Sequence, residues 1–263
     1  MNLSKKKKIA LAIIVLAFGL IAIYKYTINN EVIDIVDVTT NIESSAESSA
    51  ESSVDQLSGS GNAKKDIIKN DEAQISKDIK SAAASIPKNV LDLAVTAYAK
   101  AEEKALVSNH KLTIIDYSQP SNKKRMWVID MDKKKVDINT YVSHGARSGG
   151  KIAKDFSNQM ESHKSSIGVM KTGGTYMGKR GKSLYLHGLE KNVNDNVFRR
   201  HVVIHGATYV NDHKAKSGQV GKSFGCPAVD AKIAKKLISE IAGGSIIFAY
   251  YPSTNWIKNS QFL

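Results

Sequence analysis

The sequence predicts a mostly β domain of the α+β class. Several short runs of β-branched and aromatic residues follow one another closely after residue 111, and amphipathic helical patterns precede and follow them. A single core of about 150 to 200 residues is large enough to be stable alone, so the 263-residue chain accommodates one such domain with attachments. The domain is expected to cover residues 64–263.

The helix before the strands is predicted to start at Ser85-Ile86-Pro87, with Ser85 as the N-cap and Pro87 in the first turn. A more polar helix is expected earlier, between residues 66 and 85. The better helix carries one apolar stripe at helical spacing. This stripe consists of Val90, Leu93, Ala94, Ala97, Tyr98 and Ala101.

Strands are predicted wherever β-branched residues cluster between turn-forming segments. One such run, 202–204, ends on His205, and a helix over 230–242 follows the only cysteine, Cys226. The other predicted strands are 112–117, 125–130, 136–143 and a closing strand at 245–251.

The N-terminal part of the chain is predicted to lie outside the fold. Residues 1–28 contain a basic run followed by an apolar run, which is typical of a signal sequence or a membrane anchor. An uncleaved anchor is favoured, because no small-x-small cleavage pattern follows. Residues 29–63 repeat a Glu-Ser-Ser-Ala unit and predict a flexible tether.

Charge and topology limit the partners. The formal net charge of +13 favours anionic partners such as nucleic acid, anionic lipid or the bacterial cell wall. The basic N-terminal run should remain in the cytoplasm and direct the rest of the chain outward. Nucleic acid is thereby disfavoured, and a periplasmic or extracytoplasmic domain is expected, anchored to the inner membrane, or secreted if the signal is cleaved.

The motif most indicative of chemistry is Ser223-Phe224-Gly225-Cys226-Pro227, preceded by His205-Gly206. A lone cysteine beside a glycine is typical of a presented nucleophile, with His205 as its base. The backbone amides of Gly225 and Cys226 are predicted to hold an oxyanion, and Ser223 to donate a hydrogen bond beside the thiolate.

These residues resemble the murein L,D-transpeptidases (YkuD-like catalytic domain) over about residues 90 to 262. Two departures are Phe224, where most members carry a second histidine, and Pro227-Ala228-Val229, where an apolar residue and an arginine are usual. The resemblance implies a β-sandwich-like or barrel-like catalytic fold and a histidine oriented by the Gly206 carbonyl. Tyr176, His187 and Tyr209 are predicted as further substrate-binding residues.

The implied activity is L,D-transpeptidation. Cys226 would attack a tetrapeptide stem of peptidoglycan, release D-alanine, and pass the acyl group to an amine, without a cofactor. Alternatives are an L,D-carboxypeptidase or endopeptidase that uses water, and a non-catalytic wall-binding module. A zinc site is disfavoured, because the histidines lack the close spacing of a metal motif. Basic residues in the loops, Arg180 and Lys222 among them, are expected to attract the anionic wall polymer.

Overall fold

The computed structural model describes residues 70–80 and 85–263, and this part of the chain is built on one eight-stranded sheet. The strands are β1 (Lys111–Asp116), β2 (Met126–Asp130), β3 (Lys135–Thr140), β4 (Gly168–Gly178), β5 (Gly181–Gly188), β6 (Val203–Ala207), β7 (Ala228–Asp230) and β8 (Ile246–Tyr250). Their order across the sheet is β3-β2-β1-β8-β4-β5-β6-β7. The helices are α1 (70–80), α2 (Lys88–Glu103), α3 (Asp212–Lys216), α4 (Ala231–Ile241) and α5 (Thr254–Asn259).

The centre of the sheet is the parallel pair β1 and β8, whose register runs from Leu112 opposite Ile246 to Asp116 opposite Tyr250. All residues of β8 are buried, which explains its continuous apolar sequence. Helix α2 packs on β1 and β8, and α4 packs on β1, β5, β6 and β7. Each fully buried leucine or isoleucine of these helices contributes about 1.5–3 kcal/mol relative to exposure.

The two ends of the sheet approach each other beyond β3. The amide of Ser143, just after β3, donates to the carbonyl of Ala228 in β7 at 2.9 Å. An isolated parallel bridge between Gly145 and Ser223 extends this contact. The sheet is therefore a nearly closed barrel, in agreement with the predicted barrel-like fold, and its closure places the segment before β7 against the chain that follows β3.

Most predicted elements are present within two or three residues of their expected ends. The longest elements that the sequence patterns did not predict are the two strands of the hairpin β4–β5; β7, α3 and α5 were not predicted either. Strand β4 contains Gly173 and Gly174, and its register with β5 shifts between Thr172 and Thr175. Glycines and a bulge interrupt the alternation by which a strand is recognised in sequence. This hairpin supplies one side of the cleft that holds the cysteine.

The predicted N-cap of α2 is wrong, and the two predicted N-terminal segments cannot be compared with the structure. Ser85 is not the N-cap of α2; Pro87 occupies that position, and the Ser85 hydroxyl accepts from Trp127 Nε1 at 3.0 Å. The predicted anchor 1–28 and tether 29–63 lie outside the described residues. Among the residues that are described, no helix has the length and apolar character needed to cross a bilayer.

Candidate active site

The only cysteine lies near the end of a short loop, residues 222–227 (the cysteine loop), that leads into β7. Cys226 is partly exposed and faces a surface cleft. The β4–β5 turn, the segment before β6, and β6 itself contribute the other walls. The lining residues are Arg180, Arg200, His201, His205, Tyr209, Lys222, Ser223, Phe224 and Cys226. The fold thus brings the two predicted catalytic residues, Cys226 and His205, into one cleft.

The conformation of the cysteine loop requires glycine at position 225. Gly225 has φ +119°, and a Cβ placed on it would lie 2.9 Å from the carbonyl oxygen of Lys164. Side chains are disfavoured both by this backbone region and by the close neighbour. The amide of Ser223 donates to the carbonyl of His144 at 3.0 Å, which ties the start of the loop to the segment after β3.

The hydroxyl of Ser223 is used within the loop. It donates to the carbonyl of Cys226 at 2.6 Å and accepts from the amide of Gly225 at 3.1 Å. This differs from the sequence-based expectation, in which Ser223 donates beside the thiolate and the Gly225 amide is free. Among the described residues, no oxygen accepts from the Cys226 amide. That amide is consequently the one predicted oxyanion donor left available.

His205 is held in one tautomer by its neighbour in β6. Its Nδ1 lies 2.9 Å from the carbonyl oxygen of Gly206. A carbonyl only accepts, so Nδ1 carries the proton and Nε2 of the neutral ring keeps its lone pair. Burial lowers the pKa of His205, the hydrogen bond to Gly206 offsets part of this, and the positive charge of Arg180 lowers the pKa slightly further. The ring is therefore a neutral base at pH 7.

The thiol of Cys226 rests against the segment that enters β6. Sγ lies 3.5 Å from the amide of Val203 and 3.7 Å from the carbonyl of His201. Burial raises the pKa of the thiol, while the Val203 amide and the charges of Arg180 and Arg200 lower it and offset part of the rise. Thiol and imidazole are thus both neutral at rest, since burial disfavours the charged form of each.

His201 lies outside β6, the strand that carries His205. It precedes β6 and has φ +55°, a left-handed conformation that is uncommon for a non-glycine residue. This turn aims the His201 carbonyl at the thiol. Residues with such backbone conformations are concentrated at functional sites.

Sequence reasoning missed Arg200 as a member of the site. Its guanidinium donates to Ser166 Oγ at 2.6 Å, to Ser162 Oγ at 3.0 Å, to the Lys164 carbonyl at 2.7 Å, and to the Ser157 carbonyl. The position of Arg200 directly before the His201–His205 segment is the only signal in the sequence that could have indicated it. Its fixed positive charge lies beside the thiol.

The three residues predicted to bind substrate lie in two places. Tyr209 lines the cleft. Tyr176 and His187 are outside it, in a row of rings on β4 and β5: Tyr176 stacks on Tyr185 at 4.5 Å, and His187 stacks on Phe198 at 4.8 Å. A substrate contact for any of the three remains a prediction.

Phe224 forms an exposed wall of the cleft. Its side chain is 75% exposed, and its ring stacks on His163 at 4.5 Å between centroids. Within residues 70–80 and 85–263, no group of three or more His, Cys, Asp or Glu side chains is arranged to hold a metal ion.

A partly exposed thiol, a buried neutral histidine with a free Nε2 and a nearby unused amide are the parts of a cysteine acyl-transfer centre. A family model described as the L,D-transpeptidase catalytic domain matches residues 82–250, well over half of the chain. The chain belongs to the L,D-transpeptidase catalytic domain family, a family of peptidoglycan-modifying acyltransferases.

Solved structures of low similarity include members of the same class. An L,D-transpeptidase from Stackebrandtia nassauensis has 16% identity and a TM-score of 0.34, covering 68% of this chain and 77% of that one. An L,D-transpeptidase from Mycobacterium smegmatis has 11% identity and a TM-score of 0.34, covering 54% and 59%. The helical cell shape determining protein Pgp2 from Campylobacter jejuni has 12% identity and a TM-score of 0.37, covering 56% and 48%.

The match spans only about half of the Mycobacterium smegmatis and Campylobacter jejuni chains. Because the TM-scores are low, the family assignment rests on the family model alone. A search of the curated proteins found no match.

Proposed function

We propose that this domain is a peptidoglycan L,D-transpeptidase that acts through a thioester on Cys226. The observation that carries the proposal is the hydrogen bond between His205 Nδ1 and the Gly206 carbonyl at 2.9 Å. This bond leaves Nε2 as a base in the same cleft as the thiol. Family membership supports the class of substrate.

The acylation step uses the donor stem peptide. Sγ of Cys226 attacks the carbonyl carbon between the L-centre of the diamino acid and the terminal D-alanine, and the thiol proton passes to His205 Nε2. The amide of Cys226 donates to the oxyanion of the tetrahedral intermediate. The C–N bond then breaks, D-alanine leaves with the proton from His205, and the acyl group remains as a thioester.

The transfer step regenerates the enzyme. An amine of a second stem attacks the thioester carbonyl and loses a proton to His205. The C–S bond breaks, and the thiolate recovers that proton from the imidazolium. An amide cross-link is formed, and no oxidant, metal or nucleotide is consumed. Water in place of the amine would give a tripeptide, which is the carboxypeptidase outcome.

The test is incubation of the purified domain with disaccharide-tetrapeptide, with products resolved by mass spectrometry. Cross-linked dimers and free D-alanine are expected. Cys226→Ala should abolish both, and His205→Gln should reduce the rate by about 10²–10⁴-fold. His213→Ala, at an exposed position in α3, is the matched control and should retain activity. Tripeptide without dimers would identify a hydrolase, and turnover by Cys226→Ala would refute the mechanism.

We further propose that the domain works on the outer side of the cytoplasmic membrane, held there by residues 1–28. The support is the basic run followed by an apolar run in that segment, together with the family's peptidoglycan-modifying character. Fractionation of the tagged full-length chain, with added protease as a probe of exposure, tests this. Recovery of the chain in the soluble cytoplasmic fraction would contradict it.

A further inference from the structure

Two arginines line the cleft, and they differ in how their guanidinium groups are used. Arg200 is half-buried and donates to two serine hydroxyls and two backbone carbonyls. All four acceptors are neutral, so no carboxylate offsets the positive charge of Arg200. Both of its terminal nitrogens are nevertheless occupied by these hydrogen bonds. Its positive charge can lower the pKa of the thiol, but its two terminal nitrogens have no N–H groups left to bind a ligand carboxylate.

Arg180 lies on the turn between β4 and β5 and also lines the cleft. Its guanidinium carbon is 5.6 Å from the centroid of the Tyr209 ring. Within the described part of the chain, Arg180 makes no hydrogen bond and no ion pair with protein. Stacking on a ring leaves the N–H groups at the edge of the guanidinium free, in the fork geometry that matches a carboxylate.

The platform beneath Arg180 is built into the fold. Gly221 donates from its amide to the Tyr209 carbonyl at 2.8 Å, and a Cβ on Gly221 would lie 2.6 Å from Tyr209 Cβ. Tyr209 also packs against a small buried cluster that includes Ala228, two residues after the cysteine.

The charges of the cleft are all of one sign. Arg180, Arg200 and Lys222 line it, and none of the lining residues is an aspartate or a glutamate. A donor stem that reacts at its last peptide bond brings a carboxylate into this space, because the terminal carboxylate is attached to the carbon next to the leaving nitrogen. A carboxylate held by a bidentate arginine is bound with defined geometry as well as charge.

We infer that Arg180, supported by the face of Tyr209, binds the C-terminal carboxylate of the donor stem peptide and so selects stems that end one residue after the scissile bond. This inference rests on the proposed function. A stem with one further residue would carry its carboxylate about 3.5 Å beyond this position, out of register with the guanidinium. Arg180 is therefore a substrate-binding residue that determines which stem length is used.

The experiment compares two donors that differ in one group: a tetrapeptide stem with a free C-terminus and the same stem as a C-terminal carboxamide. Release of D-alanine or D-alaninamide is measured as kcat/KM. The wild-type domain should prefer the carboxylate. Arg180→Ala should lower kcat/KM for the carboxylate donor by about 10–100-fold, mainly through KM, and should lower it much less for the carboxamide donor, which loses only the effect of the Arg180 charge on Cys226 and His205.

Two further variants separate charge from geometry. Arg180→Lys keeps the charge without the paired donors and should recover only part of the preference. Lys179→Ala, on the same turn but outside the cleft lining, should change both donors equally or not at all. A carboxamide rate that falls much less than the carboxylate rate also shows that the Arg180→Ala variant is folded and retains its thiol chemistry.

The possible failures are distinct. If the wild-type domain processes neither donor, the proposed function fails, and this inference with it. If the wild type is active but shows no preference for the carboxylate, or if Arg180→Ala reduces both donors alike, only the inference is overturned. The second result would assign Arg180 to the oxyanion or to the structure of the hairpin.

Discussion

The guanidinium of Arg125 donates to Nδ1 of His144 across 2.8 Å in the buried interior behind the cysteine loop. Nδ1 must accept this bond, so Nε2 carries the proton and donates to the Gly150 carbonyl at 3.0 Å. The His144 carbonyl in turn accepts from Ser223. A neutral histidine beside an obligate cation thus supports the loop that presents the thiol.

This arrangement predicts a loss of stability in mild acid. Burial, and then the charge of Arg125, lowers the pKa of His144 to about 4, compared with an ordinary 6.5. As pH falls from 6.5 to 4, the unfolded chain takes up a proton that the folded chain does not. The folded state is therefore destabilised by up to about 3 kcal/mol across that window. Urea unfolding of the domain at several pH values measures this.

His144→Asn provides the comparison for that measurement. The asparagine oxygen can still accept from Arg125, but the smaller side chain does not fill the space of the imidazole ring, so the variant should be less stable at pH 7. Because asparagine does not titrate, the variant should also lose less stability between pH 6.5 and 4. His213→Asn, which replaces an exposed histidine, should keep the wild-type slope. Parallel curves for wild type and His144→Asn would show that His144 is not the titrating group.

A second prediction concerns the reactivity of the thiol. Burial raises the pKa of Cys226, so the reactive thiolate is scarce at neutral pH and becomes more abundant as pH rises above the ordinary range of a cysteine. The rate of alkylation by iodoacetamide should therefore still be increasing at pH 9. A plateau below pH 8 would show that the thiolate is already stabilised at rest.

The neighbouring arginines should shift that alkylation profile. The charge of Arg200 lowers the thiol pKa, so Arg200→Gln should move the midpoint to higher pH and slow alkylation at pH 7.5. Arg200→Lys should restore much of the profile by restoring the charge, which a purely structural role would not do. Arg199→Gln, at the exposed neighbouring position, should leave it unchanged.

The parts of the site that sequence predicted are those encoded locally. His205, Gly206, Gly225 and Cys226 are recognisable because each proposed catalytic residue lies next to a glycine in the sequence. The pairing of Arg180 with Tyr209 was not predictable, because it depends on the β4–β5 turn reaching across to the residues after β6.

The same distinction holds for the fold. Apolar runs predicted β1, β2 and β8, because these strands are buried. The hairpin β4–β5 is half-exposed and interrupted by glycines, so its residues carry a weaker alternation. The use of the Gly225 amide by Ser223 follows from the three-dimensional path of the cysteine loop, which residue types alone do not specify.

A last prediction uses three glycines to separate backbone strain from steric contact at the cysteine loop. Gly225 combines φ +119° with a neighbour 2.9 Å from a would-be Cβ, whereas Gly218 has φ +114° with nothing within 4 Å. Gly174 has open space and no positive φ. Alanine at 174 should be nearly neutral, and alanine at 218 should cost about 1 kcal/mol for the left-handed backbone.

Alanine at 225 should cost more, about 1–3 kcal/mol, and should also slow acylation at least ~10-fold, because the loop must move away from the Lys164 carbonyl and take the thiol with it. Urea unfolding and D-alanine release from the three variants measure the two effects. Equal losses of stability and activity for Gly225→Ala and Gly218→Ala would mean that the contact with Lys164 does not set the position of Cys226.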